Sequence, residues 1–142
     1  MPVVPVNYLA VLVAAIANMV LGSLWFGPVF GKLWMKYSGI NPGSITPEQK
    51  KGMWKSYAIM FVGSLVMAYV LAHSLVFANT YLNVSGWMTG LQAGFWNWLG
   101  FVAPVTIGVV LWDRKSWGHW AVTYLYYLVG LMMMGVILAM WG

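Results

Sequence analysis

The chain has 142 residues, of which 62% are hydrophobic, 17% aromatic and only 6% charged, with a net charge of +5 and no cysteine. A water-soluble domain carries charge on about a quarter of its residues, so this composition excludes a soluble globule: there is too little polar side chain to cover a water-facing surface. The absence of cysteine excludes disulfides, thiolate chemistry and Cys-ligated metal.

Taken in chain order, Asn7 is placed to cap a first apolar helix, span one, over about 8–30. Gly27 and Pro28 near its far end predict a kink or hinge, since proline lacks the N–H and restricts the residue before it. An inner loop follows over 31–56. Within it Thr46, Pro47 and Gln49 have the spacing of an N-cap, a first-turn proline and a capping-box partner, so a helix restarts at Pro47. Lys50, Lys51 and Lys55 beside Trp54 form a basic, lipid-facing belt. Span two covers 57–78, an uncharged hairpin leads to span three over 87–112, and Pro104 marks a second bend or hinge. A short charged turn, 113–119, precedes span four over 120–141. Each span has the roughly 20 apolar residues that cross about 30 Å of hydrocarbon, so residues 1–142 form a single four-helix transmembrane domain.

All seven Lys and Arg residues, with Glu48 and Asp113, fall within 31–56 and 113–119. Juxtamembrane cations stay in the cytoplasm, so both loops are expected there, both termini outside, in a bacterial inner (plasma) membrane. The cations flank apolar spans and alternate with Trp34, Trp54, Trp112, Trp117 and Trp120, which points to anionic membrane lipids and away from nucleic acid.

The spans also repeat. Without gaps, span two falls on span four, with Tyr57 on Tyr124, Gly63 on Gly130, Met67 on Met134 and Leu71 on Leu138, while span one falls on span three, with Leu12 on Leu91 and Asn18 on Asn97. The expected fold is an all-α integral membrane bundle, four transmembrane helices arranged as two parallel-repeat hairpins.

Polar groups at membrane depth are costly and direct attention to function. At about 1.5 Å per residue, Asn18 and Asn97 both lie roughly 15 Å from the outer ends of their spans. Ala14 and Gly22 on span one, and Gly90 and Gly94 on span three, form small-residue stripes that predict close packing of these two helices, with the amides meeting as a clamp or lining a solute path. His73 and Gln92 share a second layer, roughly 8 to 9 Å deep; there a neutral His73 is satisfied by Gln92 or by a backbone carbonyl, or the layer senses pH or contacts a solute. His119 sits at the opposite face, so no metal site is expected. No carboxylate lies within a span, which disfavours ion-driven antiport, and no nucleophile, base and orienting group share one depth, so neither an enzyme nor a cofactor is expected. Tyr124, Tyr126, Tyr127 and Met132 to Met134 make an adaptable apolar surface, either packing or a seat for a lipophilic ligand. Trp25, Trp96 and Trp98, deeper than the belts, each need an N–H acceptor.

Several of these clusters carry a resemblance. Asn18 with Gly22, the run from Trp25-Phe26-Gly27-Pro28 to Lys32 with Trp34, Leu71-Ala72-His73, Gly94-Phe95-Trp96-Asn97-Trp98-Leu99-Gly100-Phe101 and Pro104-Val105-Thr106 resemble the small bacterial membrane proteins of the domain of unknown function 1761. That resemblance implies four membrane helices and no activity that carries over. The expected role is binding or facilitated passage of a neutral or lipophilic small solute, as a homo-oligomer because four helices enclose little space. The alternative is a non-catalytic membrane interaction or scaffold protein whose basic inner loop binds anionic lipid or a cytoplasmic partner.

Overall fold

The structure, a computed structural model, describes residues 4–39, 43 and 46–141; the side chain of Lys50 lies outside the described residues, as do 40–42, 44 and 45 of the expected inner loop. Seven α-helices are present among the described residues: α1 (Tyr8–Leu24), α2 (Gly31–Ser38), α3 (Pro47–Leu82), α4 (Trp87–Phe101), α5 (Ala103–Thr106), α6 (Gly108–Leu111) and α7 (Trp117–Trp141). They build four segments long and apolar enough to cross a membrane: Tyr8–Val29, Pro47–Leu82, Trp87–Leu111 and Trp117–Trp141.

Helix starts follow the local chemistry. The Asn7 side chain accepts from the N–H groups of Leu9 and Ala10 at 3.1 and 3.2 Å, so α1 begins where its cap predicts. At α3 the Gln49 N–H donates to Thr46 Oγ1 (3.2 Å), and the Thr46 N–H donates to Gln49 Oε1 (2.9 Å), closing the capping box. Helix α3 has 36 residues and is about 54 Å long at about 1.5 Å per residue, far more than the hydrocarbon thickness. Its described side chains from 51 to 60 are all exposed, so its first turns stand clear of the bundle. Thr46→Ala is expected to cost about 1 kcal/mol locally, raising amide hydrogen exchange over 47–51 without moving the global unfolding midpoint; a drop in that midpoint would mean these turns are packed.

Two prolines interrupt spans. Pro28 cannot donate to the carbonyl one turn back, and its ring crowds that position. The chain widens into a π-helical turn over Trp25–Val29, in which the Phe30 N–H reaches Trp25 O at 2.8 Å and Gly27 leaves helical geometry at φ −102°, ψ −106°. Beyond it, Gly31–Ser38, expected as loop, is helix α2, because Leu33, Trp34 and Tyr37 lie at helical spacing while Lys32 and Lys36 are exposed. Around Pro104, span three breaks into α4, α5 and α6. There Thr106 Oγ1 donates to Val102 O (2.6 Å) and accepts from Trp120 Nε1 (2.9 Å), tying the broken segment to α7.

The packing differs from expectation. Spans one and three do not share a packed interface: α4 lies along α7, and α1 packs on α3 and α7. The stripe Gly90 and Gly94 faces Gly135 and Leu131 of α7, where the backbones approach too closely for any β-carbon. Many of the buried positions hold small or polar residues such as Ala14, Ala68, Ser64 and Asn18 beside larger ones such as Leu71 and Met134, while Ile59, Val62, Val66, Val70 and Phe77 of α3 point outward. Close backbone packing inside and bulky apolar side chains outside suit a lipid solvent.

Candidate functional site

Asn18 and Asn97 do not meet. Asn18, with no exposed surface, donates through Nδ2 to Ser64 Oγ on α3 at 2.9 Å. Its carbonyl accepts from Tyr126 Oη on α7 at 2.9 Å, while Oδ1 rests against Gly130 without a hydrogen-bond partner. Asn97 turns back onto its own helix, donating to Ala93 O at 2.8 Å. The expected amide pair is therefore an Asn18–Ser64 clamp joining α1 to α3. Ser64 carries no signal of its own in the sequence, since a serine within a helix can equally bond its own backbone, and its pairing with Asn18 depends on how α1 packs on α3.

In the second layer His73 takes a backbone carbonyl, one of the two partners expected for it, rather than Gln92. His73 Nδ1 donates to Tyr69 O at 2.8 Å and its ring lies 4.4 Å from that of Tyr69, whereas Gln92 is exposed on α4. At the charged end, Ser38 Oγ lies 3.5 Å from His119 Nδ1, which holds α2 beside the start of α7. Two of the deep tryptophans find backbone acceptors on α7: Trp25 Nε1 donates to Val122 O (2.7 Å) and Trp98 Nε1 to Tyr124 O (2.8 Å). Trp96 is 63% exposed. Of the basic belt, Lys51 and Lys55 are exposed, with Lys55 Nζ 5.9 Å from the Trp54 ring centroid.

What the structure does bring together lies beside the π-helical turn. A cavity of about 260 Å³ is lined by Met19, Gly22, Ser23, Phe26 and Gly27 of the first span, Tyr57 and Met60 of α3, and Tyr126 and Tyr127 of α7. Gly22 and Gly27 leave the space that side chains would fill, and a β-carbon at Gly22 would stand 2.9 Å from Tyr126 Oη. Tyr126 is the fixed wall. It is 3% exposed, its ring lies 5.3 Å from Phe26 and 4.8 Å from Tyr127, and its hydroxyl is anchored on Asn18. Clamp and cavity thus share one residue. Tyr126 and Tyr127 were legible in the sequence as part of an adaptable surface, but the expected Met132 to Met134 and Tyr124 do not line this cavity, whose methionines are Met19 and Met60. The contribution of Gly22 and Gly27 was not legible, because it depends on the wider turn that Pro28 forces.

Two other hollows are comparable in size. One of about 500 Å³ runs between α3 and α4 and contains Ser74 and Asn97 in an otherwise apolar lining. The other, about 360 Å³, lies at the uncharged end between Asn7, Asn79 and Leu138. Neither is walled by aromatic residues of three spans, as the first is. Among the described residues no three His, Asp or Glu side chains converge as a metal site.

The family model described as a protein of unknown function, DUF1761, matches residues 9–139. No curated protein and no solved structure matches the chain.

Proposed function

The chain belongs to the DUF1761 family, whose function is unknown, and we propose that it binds a small lipophilic molecule in the cavity beside the π-helical turn, reached from within the bilayer. The observation that carries this reading is the lining: aromatic rings and two methionines from three spans converge on about 260 Å³. Concave, mostly apolar sites with a few fixed polar groups are the usual form of a small-molecule pocket, and π-helical turns recur at functional positions. The polypeptide supplies binding and orientation, not catalysis. Passage through the bundle has less support, because Asn18 is committed to Ser64 and Asn97 to its own backbone. In this reading the loops rich in lysine face the cytoplasm and both termini lie outside, placing the cavity in the inner half of the bilayer.

A photoreactive apolar probe, a diazirine-bearing alkyl alcohol, tests the proposal in nanodiscs. Saturable adducts are expected on Met19, Phe26, Tyr57, Met60 and Tyr126. Unsaturable labelling spread over Ile59, Val62, Val66 and Val70, the lipid-facing side of α3, would sink it.

A second reading has its own observation. The exposed first turns of α3 carry Trp54, Lys51 and Lys55 beyond the packed bundle, a form suited to anionic lipid or an acidic partner and to a scaffold role. Loss of binding to phosphatidylglycerol vesicles on Lys51→Gln with Lys55→Gln would favour it.

A further inference from the structure

We infer that the ligand of this cavity is a single-ring phenol with a short apolar substituent, its hydroxyl donating to Tyr126 Oη. The inference rests on the binding proposal above and adds the chemistry of the ligand.

Size comes first. An apolar cavity of about 150 Å³ admits benzene, so about 260 Å³ takes one ring with a few added carbons and has no room for a whole phospholipid. The walls select for a ring. Phe26, Tyr126 and Tyr127 offer edges and faces, and Met19 and Met60 offer sulfur, which packs favourably against aromatic systems.

The polar groups set the direction of the hydrogen bond. Tyr126 is almost wholly buried, and its proton is already given to Asn18 O at 2.9 Å. Ser23 likewise gives its proton to Met19 O at 3.1 Å. A hydroxyl that has donated keeps its oxygen lone pairs. These two positions therefore present acceptors to the cavity, and the group that satisfies them is a donor. Tyr126 is the stronger acceptor site of the two because its oxygen is held between Asn18 and the close backbone of Gly22 and lies away from water, whereas Ser23 is exposed. In a low-dielectric wall a hydrogen bond to a positioned acceptor discriminates more sharply than it does in water. An ether of the same shape cannot donate to the Tyr126 oxygen and brings an unpaired oxygen of its own.

The test uses three matched competitors against the photoreactive probe, with concentrations corrected for membrane partition: 4-propylphenol, its methyl ether 4-propylanisole, and propylbenzene. The phenol is expected to displace the probe at about five- to tenfold lower concentration than the other two. Tyr126→Phe, which keeps the ring, is expected to erase that preference while the probe still labels Met19 and Met60. Equal competition by all three compounds overturns the phenol inference and leaves the cavity as an apolar site. No saturable competition by any of them, as when an acyl chain fills the space, overturns both. A preference that survives Tyr126→Phe overturns the assignment of Tyr126 as the acceptor, and the comparison in the unaltered protein stands whether or not the variant folds.

Discussion

Gly90→Ala and Gly135→Ala are each expected to destabilise the bundle by more than about 3 kcal/mol, at or beyond the upper end of ordinary overpacking. A β-carbon at Gly90 would collide with the carbonyl oxygen of Gly135, and one at Gly135 with the carbonyl oxygen of Gly90, while Ala139 Cβ closes the third side at 2.8 Å. The obstacles are backbone atoms on both helices, so no side-chain rotation relieves the contact. The helices must separate, and α4 and α7 form the most extensive interface in the molecule. The comparison that makes the result diagnostic is Gly63→Ala and Gly100→Ala, where nothing lies within 4 Å of the added methyl. There alanine is expected to be neutral, or to stabilise by up to about 1 kcal/mol through helix propensity. Thermal unfolding in one detergent, followed by circular dichroism, reads all four. Indistinguishable midpoints across the set would mean that α4 and α7 do not meet along this line.

That interface also marks the boundary of what the chain's sequence discloses. The number of spans, the caps at Asn7 and Thr46 and the interruptions at Pro28 and Pro104 were all legible, because each depends on hydropathy or on the chemistry of neighbours along the chain. Partner choice was not. Gly90 and Gly94 announce that something packs closely on span three, but a small-residue stripe fits any other stripe, and that of span one was the more regular in spacing. The true counterpart on α7 is less visible, since the positions that face Gly90 and Gly94 are Gly135 and Leu131, and the bulky leucine keeps them from reading as a small-residue stripe. Helix α2 was hidden for a different reason: Lys32 and Lys36 make the segment resemble a charged loop unless its apolar residues are counted at helical spacing. Two walls of the cavity, Tyr126 and Tyr127, were evident from span four, but Met132 to Met134 do not line it. Its methionines, Met19 and Met60, come from the first two spans, and its location depends on three helices and a widened turn. Long-range pairing of this kind is set by shape, which a single sequence records only indirectly.

Asn18→Asp is expected to be far more damaging than Asn18→Ala, and the gap between them measures how dry the centre of the bundle is. Asparagine and aspartate have nearly the same shape, so packing against Gly130 is almost unchanged and the difference is electrostatic. An aspartate at the middle of a membrane helix costs about 2.5 to 3.5 kcal/mol on insertion scales, and a position with no exposed surface offers it no water. It also has no cationic partner, since the Lys and Arg residues all lie at the charged end. Asn18→Ala instead removes the bond to Ser64 Oγ, worth about 0.6 kcal/mol on average for a membrane hydrogen bond and about 1.7 at most, plus a small void. A double-mutant cycle with Ser64→Ala should return a coupling in that same range, because neither side chain has another partner of comparable geometry. If aspartate and alanine instead cost the same, water reaches Asn18, and a polar path through α1, α3 and α7 becomes the better account. If aspartate is the outlier, the amide is a dry clamp whose functional weight is indirect: through the carbonyl of Asn18 it fixes the hydroxyl of Tyr126, and so the wall of the cavity below it.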